Sequence, residues 1–204
     1  MTSPIDHWNA IYKAKAPSEV SWFQESAGTS LDLVRATGLP PNSAIVDVGA
    51  GASRLVDGLL AAGHSDITLL DLSEEALRRT RERVGTAAEV SFVVHDVTTW
   101  VPPRRYDLWH DRAVFHFLTE EEARARYLNV LASALSVGGH AIVATFALDG
   151  PERCSNLPVQ RYSVETLAKE FSSILTLREH RTEIHRTPWG SSQSFIFCRF
   201  RRER

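Results

Sequence analysis

The chain has 204 residues, 43% of them hydrophobic and 24% charged, with a formal net charge of −2. That length and composition suit one globular α/β domain over 1–204. The charge balance implies no broad basic face for nucleic acid.

In chain order, residues 4–16 predict a helix capped by Ser3 or Asp6, and Pro17–Gln24 a loop carrying large aromatics. Residues 28–38 predict a second helix, stopped by Gly38 and Pro40-Pro41. Together 1–40 read as a helical cover, and 41–204 as a sheet core. Strands and helices then alternate. Strand 44–48 precedes helix 53–62, strand 67–71 precedes helix 74–84 with Ser73 as N-cap, and strand 90–94 ends at His95-Asp96. Strand 106–110 precedes a helix over about 120–135, capped by Thr119 and stopped at Gly138-Gly139, and strand 140–146 follows. This alternation predicts a mostly parallel sheet with helices on both faces. After a helix from Ser163 to about Phe171, two β-type stretches, 174–186 and 192–200, flank Thr187-Pro-Trp-Gly190. Lacking a helix between them, they predict an antiparallel hairpin that completes a seven-stranded Rossmann-like sheet.

Cys154 and Cys198 stand far apart in no metal-like spacing. They argue for a reducing compartment and against a disulfide framework, and no ordered cluster of metal ligands appears. No apolar run approaches the roughly 18 residues of a membrane span, and the N-terminus lacks a secretory layout. A cytoplasmic protein that engages no membrane is expected.

The most informative stretch is Ile45-Val-Asp-Val-Gly-Ala-Gly-Ala-Ser-Arg54, followed by Ile67-Thr-Leu-Leu-Asp71. Gly49 and Gly51 allow a tight turn and close backbone approach. A carboxylate ending the next strand, about 20 residues on, is placed to accept from a ribose diol. Two nucleoside classes fit this layout. A dinucleotide site wants G-x-G-x-x-G with bare helix N–H groups for a pyrophosphate, but Arg54 stands at its third glycine. Asp47, two residues before Gly49, favours a cationic ligand instead.

The segment resembles motif I of the class I S-adenosylmethionine (SAM) methyltransferases, with Ser53 in place of the last glycine. The five-plus-two strand pattern resembles the seven-stranded fold of that family, from about Ile5 to Phe200. The resemblance implies SAM as cofactor and S-adenosylhomocysteine (SAH) as product. It places the Gly49-Ala50-Gly51 turn at the amino-acid part, Asp71 at the ribose, Leu72 beside the adenine, and Asp96 with Val97 at the adenine edge. Arg54 is a candidate for the cofactor carboxylate or for Asp47. The segment His7–Tyr12 with Val20–Gln24 resembles the N-terminal cover of thiopurine S-methyltransferase-like enzymes, which implies Trp22, and less so Trp8, near cofactor or acceptor.

Trp109-His-Asp-Arg-Ala-Val-Phe-His-Phe-Leu118 resembles the Asp-Arg-Ala segment of the same enzymes. It implies Asp111 and Arg112 as the floor of the acceptor site, Arg112 binding an anionic acceptor or orienting a water. A local ion pair capping a helix is the other reading of that pair. His110 or His116 is a candidate base. After the fifth strand, Arg153, Cys154 and Arg161 are candidate acceptor contacts, as is Trp189. No Asn-Pro-Pro-Tyr-type motif for nucleobase amines and no Asp-Asp-Asn magnesium set is recognisable. The expected partner is a small-molecule acceptor. The alternatives are a protein-lysine methyltransferase of the same fold, a nicotinamide-dependent oxidoreductase and a silent SAM-binding module.

Overall fold

A computed structural model describes residues 3–85 and 87–204; Met1 and Thr2, at the head of the expected cover, lie outside the described residues. The elements run α1 (Pro4–Ala14), α2 (Gly28–Arg35), β1 (Ile45–Val48), α3 (Leu55–Ala61), β2 (Ile67–Asp71), α4 (Glu74–Val84), β3 (Val90–Val94) and β4 (Tyr106–Arg112). They continue as α5 (Glu121–Ala134), β5 (Leu135–Phe146), β6 (Arg153–Cys154), β7 (Leu157–Pro158), α6 (Val164–Phe171), β8 (Thr176–Arg186) and β9 (Ser192–Arg201). The seven-stranded sheet has the order β3-β2-β1-β4-β5-β9-β8. β1 to β5 pair in parallel, and β9 runs antiparallel to β5 and β8.

The apolar runs of β1 and β2 are buried throughout, as strands covered by helices on both faces must be. One core cluster packs Trp109, Phe115, Tyr127 and Phe171 on one side of the sheet, and another packs Leu33, Leu55, Leu108 and Phe146 on the other. Because β1 and β4 lie at the middle of the order, the connections leaving β1 and β4 depart to opposite sides. That opens a crevice above their carboxyl ends.

Three local expectations need correction. Glu120, not Thr119, is the N-cap of α5, and it makes no side-chain cap bond; the Arg124 guanidinium donates to the Leu118 and Thr119 carbonyls instead. α5 ends at Ala134 and β5 begins at once at Leu135, which pairs with Tyr106 across an irregular register. Gly138 and Gly139 therefore lie within β5, Gly138 with φ +82° and exchanging backbone hydrogen bonds with the Arg202 region. The loop after β5 also contains the short β6–β7 hairpin, turned at Ser155 and Asn156, both at positive φ. No described helix is long and apolar enough to cross a membrane.

Candidate active site

A cavity of about 370 Å³ opens at the carboxyl ends of β1, β2 and β4 and is roofed by α1, Trp22 and the β6–β7 hairpin. Gly49 lines the cavity, and it and Gly51 hold the turn in left-handed backbone, at φ +63° and +53°. A Cβ on Gly49 would overlap the Val114 side chain, and one on Gly51 would lie 2.5 Å from the Tyr12 hydroxyl. Neither position has room for a side chain, and both conformations disfavour one.

Asp71 joins turn to strand. One carboxylate oxygen accepts from the Gly51 N–H at 2.8 Å and the other from the Ser73 N–H at 2.7 Å. Burial raises its pKa to about 6, against the lowering effect of those two bonds. A carboxylate held this way keeps spare lone pairs on both oxygens, and its side chain lines the cavity. Ser73 caps α4, and Asn9 on α1 accepts from the Ser73 hydroxyl at 2.8 Å. The N-terminal helix is thereby latched to the end of β2.

Of the residues expected from the sequence, Trp22, Gly49, Asp71, Leu72, Asp96, Val97 and Arg112 line this cavity together. One Asp96 oxygen is committed to the Thr98 N–H and hydroxyl at 2.8 and 2.9 Å, which ties it to the turn it also caps. Asp47, Ala50, Arg54 and His110 lie instead around a smaller space of about 50 Å³, which Trp22, Gly49 and Arg112 also border. There Asp47 accepts from His110 Nδ1 at 2.7 Å, and His110 Nε2 lies 2.9 Å from Ser30 Oγ. The negative charge expected to face a cationic ligand thus has a partner inside the protein. Arg54 is the N-cap of α3 rather than a first-turn residue, and its guanidinium lies 5.8 Å from the Phe23 ring.

Asp111 borders neither space. Its oxygens accept from the Val114 N–H (2.9 Å), the Phe115 N–H (3.1 Å) and the Tyr127 hydroxyl (2.6 Å). Adjacent strand residues point to opposite faces, so with Arg112 on the cavity side Asp111 points into the Trp109–Tyr127 core. Of the expected Asp111–Arg112 floor, Arg112 alone lines the cavity, and no ion pair joins the two among the described residues. His110, the expected base, is likewise turned to Asp47. Cys154 lines the cavity; Arg161 is bonded to the Gly150 carbonyl and Glu152, and Trp189 is 59% exposed on the hairpin turn.

Trp8, the second tryptophan expected near the cofactor or acceptor, lines the cavity, and so do Tyr12 and Val114, which the sequence reading did not name as site residues. Trp8 and Tyr12 reach in from α1, at i and i+4 on one helix face, a spacing visible in the sequence. Trp8 meets Trp22 and Phe117 edge-on, with ring centroids 5.6 and 5.2 Å apart, and Tyr12 meets Trp22 at 6.1 Å. Val114 carries no signal of its own, since only the tertiary fold brings it over Gly49.

Residues 45–139 match the sequence profile of a family described as "Methyltransferase domain". The chain is 31% identical over 103 residues to malonyl-[acyl-carrier protein] O-methyltransferase 1 of Ilyobacter polytropus, covering 50% of this chain and 37% of that protein. It is 26% identical over 153 residues to the eEF1A lysine and N-terminal methyltransferase of Bos taurus, covering 70% of this chain and 21% of that one. It thus spans well under half the length of these curated relatives. Its fold matches the crystal structure of the Burkholderia thailandensis 1,6-didemethyltoxoflavin-N1-methyltransferase, solved with 1,6-didemethyltoxoflavin and SAH. The TM-score is 0.72 at 20% identity, over 100% of this chain and 92% of that one. The segment that matches a methyltransferase domain, just under half of the chain, holds the glycine turn and the carboxylate that ends β2, and the whole chain shares its fold with the toxoflavin-precursor enzyme.

Proposed function

We propose that the protein transfers a methyl group from SAM to a small-molecule acceptor. The observation that carries this reading is Asp71, bonded to the glycine turn and facing the same cavity as the indoles of Trp8 and Trp22. The residues fit the cofactor: Asp71 would accept from the ribose hydroxyls, Leu72, Asp96 and Val97 would border the adenine, and the turn at Gly49 and Gly51 would meet the amino-acid part. SAM supplies an electrophilic methyl on a cationic sulfur. The aromatic rings offer such a cation their negative faces, and the apolar walls exclude the water that would compete with the acceptor. The protein's part is to hold the acceptor in line at roughly 3 Å from the methyl. The Tyr12 hydroxyl, against the turn, and the neutral Cys154 thiol, its pKa pushed up to about 11 by burial, bear no charge at neutral pH.

The roof of α1, Trp22 and the hairpin favours a small molecule over a protein side chain as acceptor, and the fold neighbour from Burkholderia thailandensis holds 1,6-didemethyltoxoflavin together with SAH. The unpaired, buried cysteines support a reducing cytoplasm as its setting. The test is calorimetry with SAH and with NAD, then transfer of labelled methyl from SAM into thiols, amines and fractionated lysate. SAH binding without NAD binding, and label in the small-molecule fraction, are expected. NAD binding, label in protein, or no transfer at all would overturn the reading.

A further inference from the structure

Three buried hydrogen-bond donors have no acceptor among the described residues, two of them on Arg112, which lines the cavity, and one on His116, which lies behind the cavity lining. Two are Nε and Nη2 of Arg112, whose side chain is 11% exposed. They form one edge of the guanidinium, while Nη1, on another edge, donates to the Trp22 carbonyl at 3.1 Å. The carboxylate facing that region is Glu183, whose Oε1 stops 4.0 Å from Nη2 because it already accepts from Gln24 Nε2 at 2.8 Å. The Phe195 ring lies 4.6 Å from the guanidinium carbon. The third donor belongs to His116, fully buried with its ring 4.6 and 4.7 Å from those of Phe117 and Phe146. Its Nδ1 accepts from the Phe146 N–H at 3.3 Å, so the ring proton sits on Nε2, which is unpartnered.

Burial and the positive charge of Arg112 keep this imidazole neutral, its pKa lowered to about 3. Arg112 itself, lowered to about 10 by burial, stays cationic at neutral pH. The Cys154 thiol and His185, which donates from Nε2 to the Ser21 carbonyl at 2.6 Å, bring no negative charge. A buried cation without a hydrogen-bonded counterion is expensive. Its free edge, with two parallel N–H groups, matches one chemistry above others, the two oxygens of a carboxylate.

We propose that Arg112 is the anion-recognition end of the acceptor pocket, and that the acceptor is a small molecule bearing a carboxylate. This rests on the methyltransferase reading above and concerns recognition, not which atom is methylated. An anion there is also attracted by the cationic sulfur of the cofactor, so the charge order of the site would run cation, anion, cation. SAH-loaded protein should be titrated calorimetrically with benzoate, phenylacetate and hexanoate, each against its own amide. At least one carboxylate is expected to bind tenfold or more tightly than its amide. Arg112→Met should abolish that preference, and Arg112→Lys, which keeps the charge but not the two-donor edge, should lose most of it. Glu183→Gln, which removes the competing carboxylate, should retain or strengthen it. Equal binding of acid and amide, binding of neither, or a preference unchanged in the folded Lys variant overturns the proposal while SAH binding stands. Failure of the wild type to bind SAH removes the methyltransferase reading itself.

Discussion

Replacing Asp71 by Asn separates the part of this carboxylate that builds the turn from the part that would hold the cofactor. The wild-type side chain accepts from two backbone N–H groups, at 2.8 and 2.7 Å. An amide keeps one acceptor oxygen and sets an NH₂ group against the other N–H. The fold loses about one charge-assisted bond, worth about 1.5–3 kcal/mol. It is relieved in part of burying a charge, because a pKa raised from 3.8 to about 6 corresponds to roughly 3 kcal/mol of disfavoured ionisation. The sign follows from linkage. Between pH 4 and 6 the native state holds the extra proton, so ionising Asp71 lowers stability as pH rises through that window. Asp71→Asn should therefore fold at pH 7.5 with little net change in stability. Its SAH affinity should fall by about 1.5–3 kcal/mol, or roughly 10- to 150-fold, for the lost ribose contacts. Wild-type affinity should also weaken about tenfold from pH 8 to pH 5, as the acceptor becomes protonated, whereas the Asn variant should show no such dependence. Isothermal calorimetry with SAH at both pH values measures all of this. A folded Asn variant that binds SAH as tightly as wild type, or a wild-type affinity flat across pH 5–8, would refute the assignment.

Gly49→Ala places a methyl against Val114 in left-handed backbone. It should cost about 1–2 kcal/mol in conformation and about 1–3 kcal/mol in overpacking, lowering the denaturation midpoint and SAH affinity together. Tyr127→Phe removes the hydroxyl that donates to Asp111 and accepts from Trp109 Nε1 at 2.8 Å. Urea denaturation should show a loss of about 1–3 kcal/mol, with SAH affinity and methyl transfer per folded molecule unchanged. A transfer rate that collapsed in that folded variant would instead restore Asp111 to the chemistry.

The alternation of apolar runs with helical segments carried nearly all of the sheet, because fully buried parallel strands read as continuous Val, Ile and Leu. Gly49, Gly51 and Asp71 were legible for the same kind of reason: a turn without Cβ atoms and a carboxylate at a strand end are both imposed by local backbone. What sequence could not supply was which face of β4 each side chain takes. His110-Asp-Arg112 presents three ionisable groups in a row, and chemistry alone recommends all three. Strand alternation sends His110 toward Asp47, Asp111 into the Tyr127 core and Arg112 to the cavity, and the phase of that alternation is set by burial of Trp109 on one face and Leu108 on the other. Nor does the sequence announce that Leu135 begins β5 directly from α5, since that junction is held by pairing with Tyr106 rather than by any local stop signal.

The antiparallel hairpin at the end of the chain has a bearing on the site that its position in the sheet does not suggest. β8 lies at the edge, farthest in strand order from β2 and Asp71, yet two of its side chains hold the N-terminal cover in place. His185 donates to the Ser21 carbonyl and Glu183 accepts from Gln24. Arg112, at the end of β4, fastens the same segment at the Trp22 carbonyl, while Asn9 ties α1 to the cap of α4. The roof of the cavity is thus pinned at both ends of the sheet, by polar contacts each weak enough to open alone. Trp22 is part of the cavity wall, so these contacts fix the position of an indole that a ligand would meet. With Gln24 bonded to Glu183, that carboxylate stands 4.0 Å from Arg112, so the contact that seats the roof also leaves the guanidinium edge available to an incoming anion.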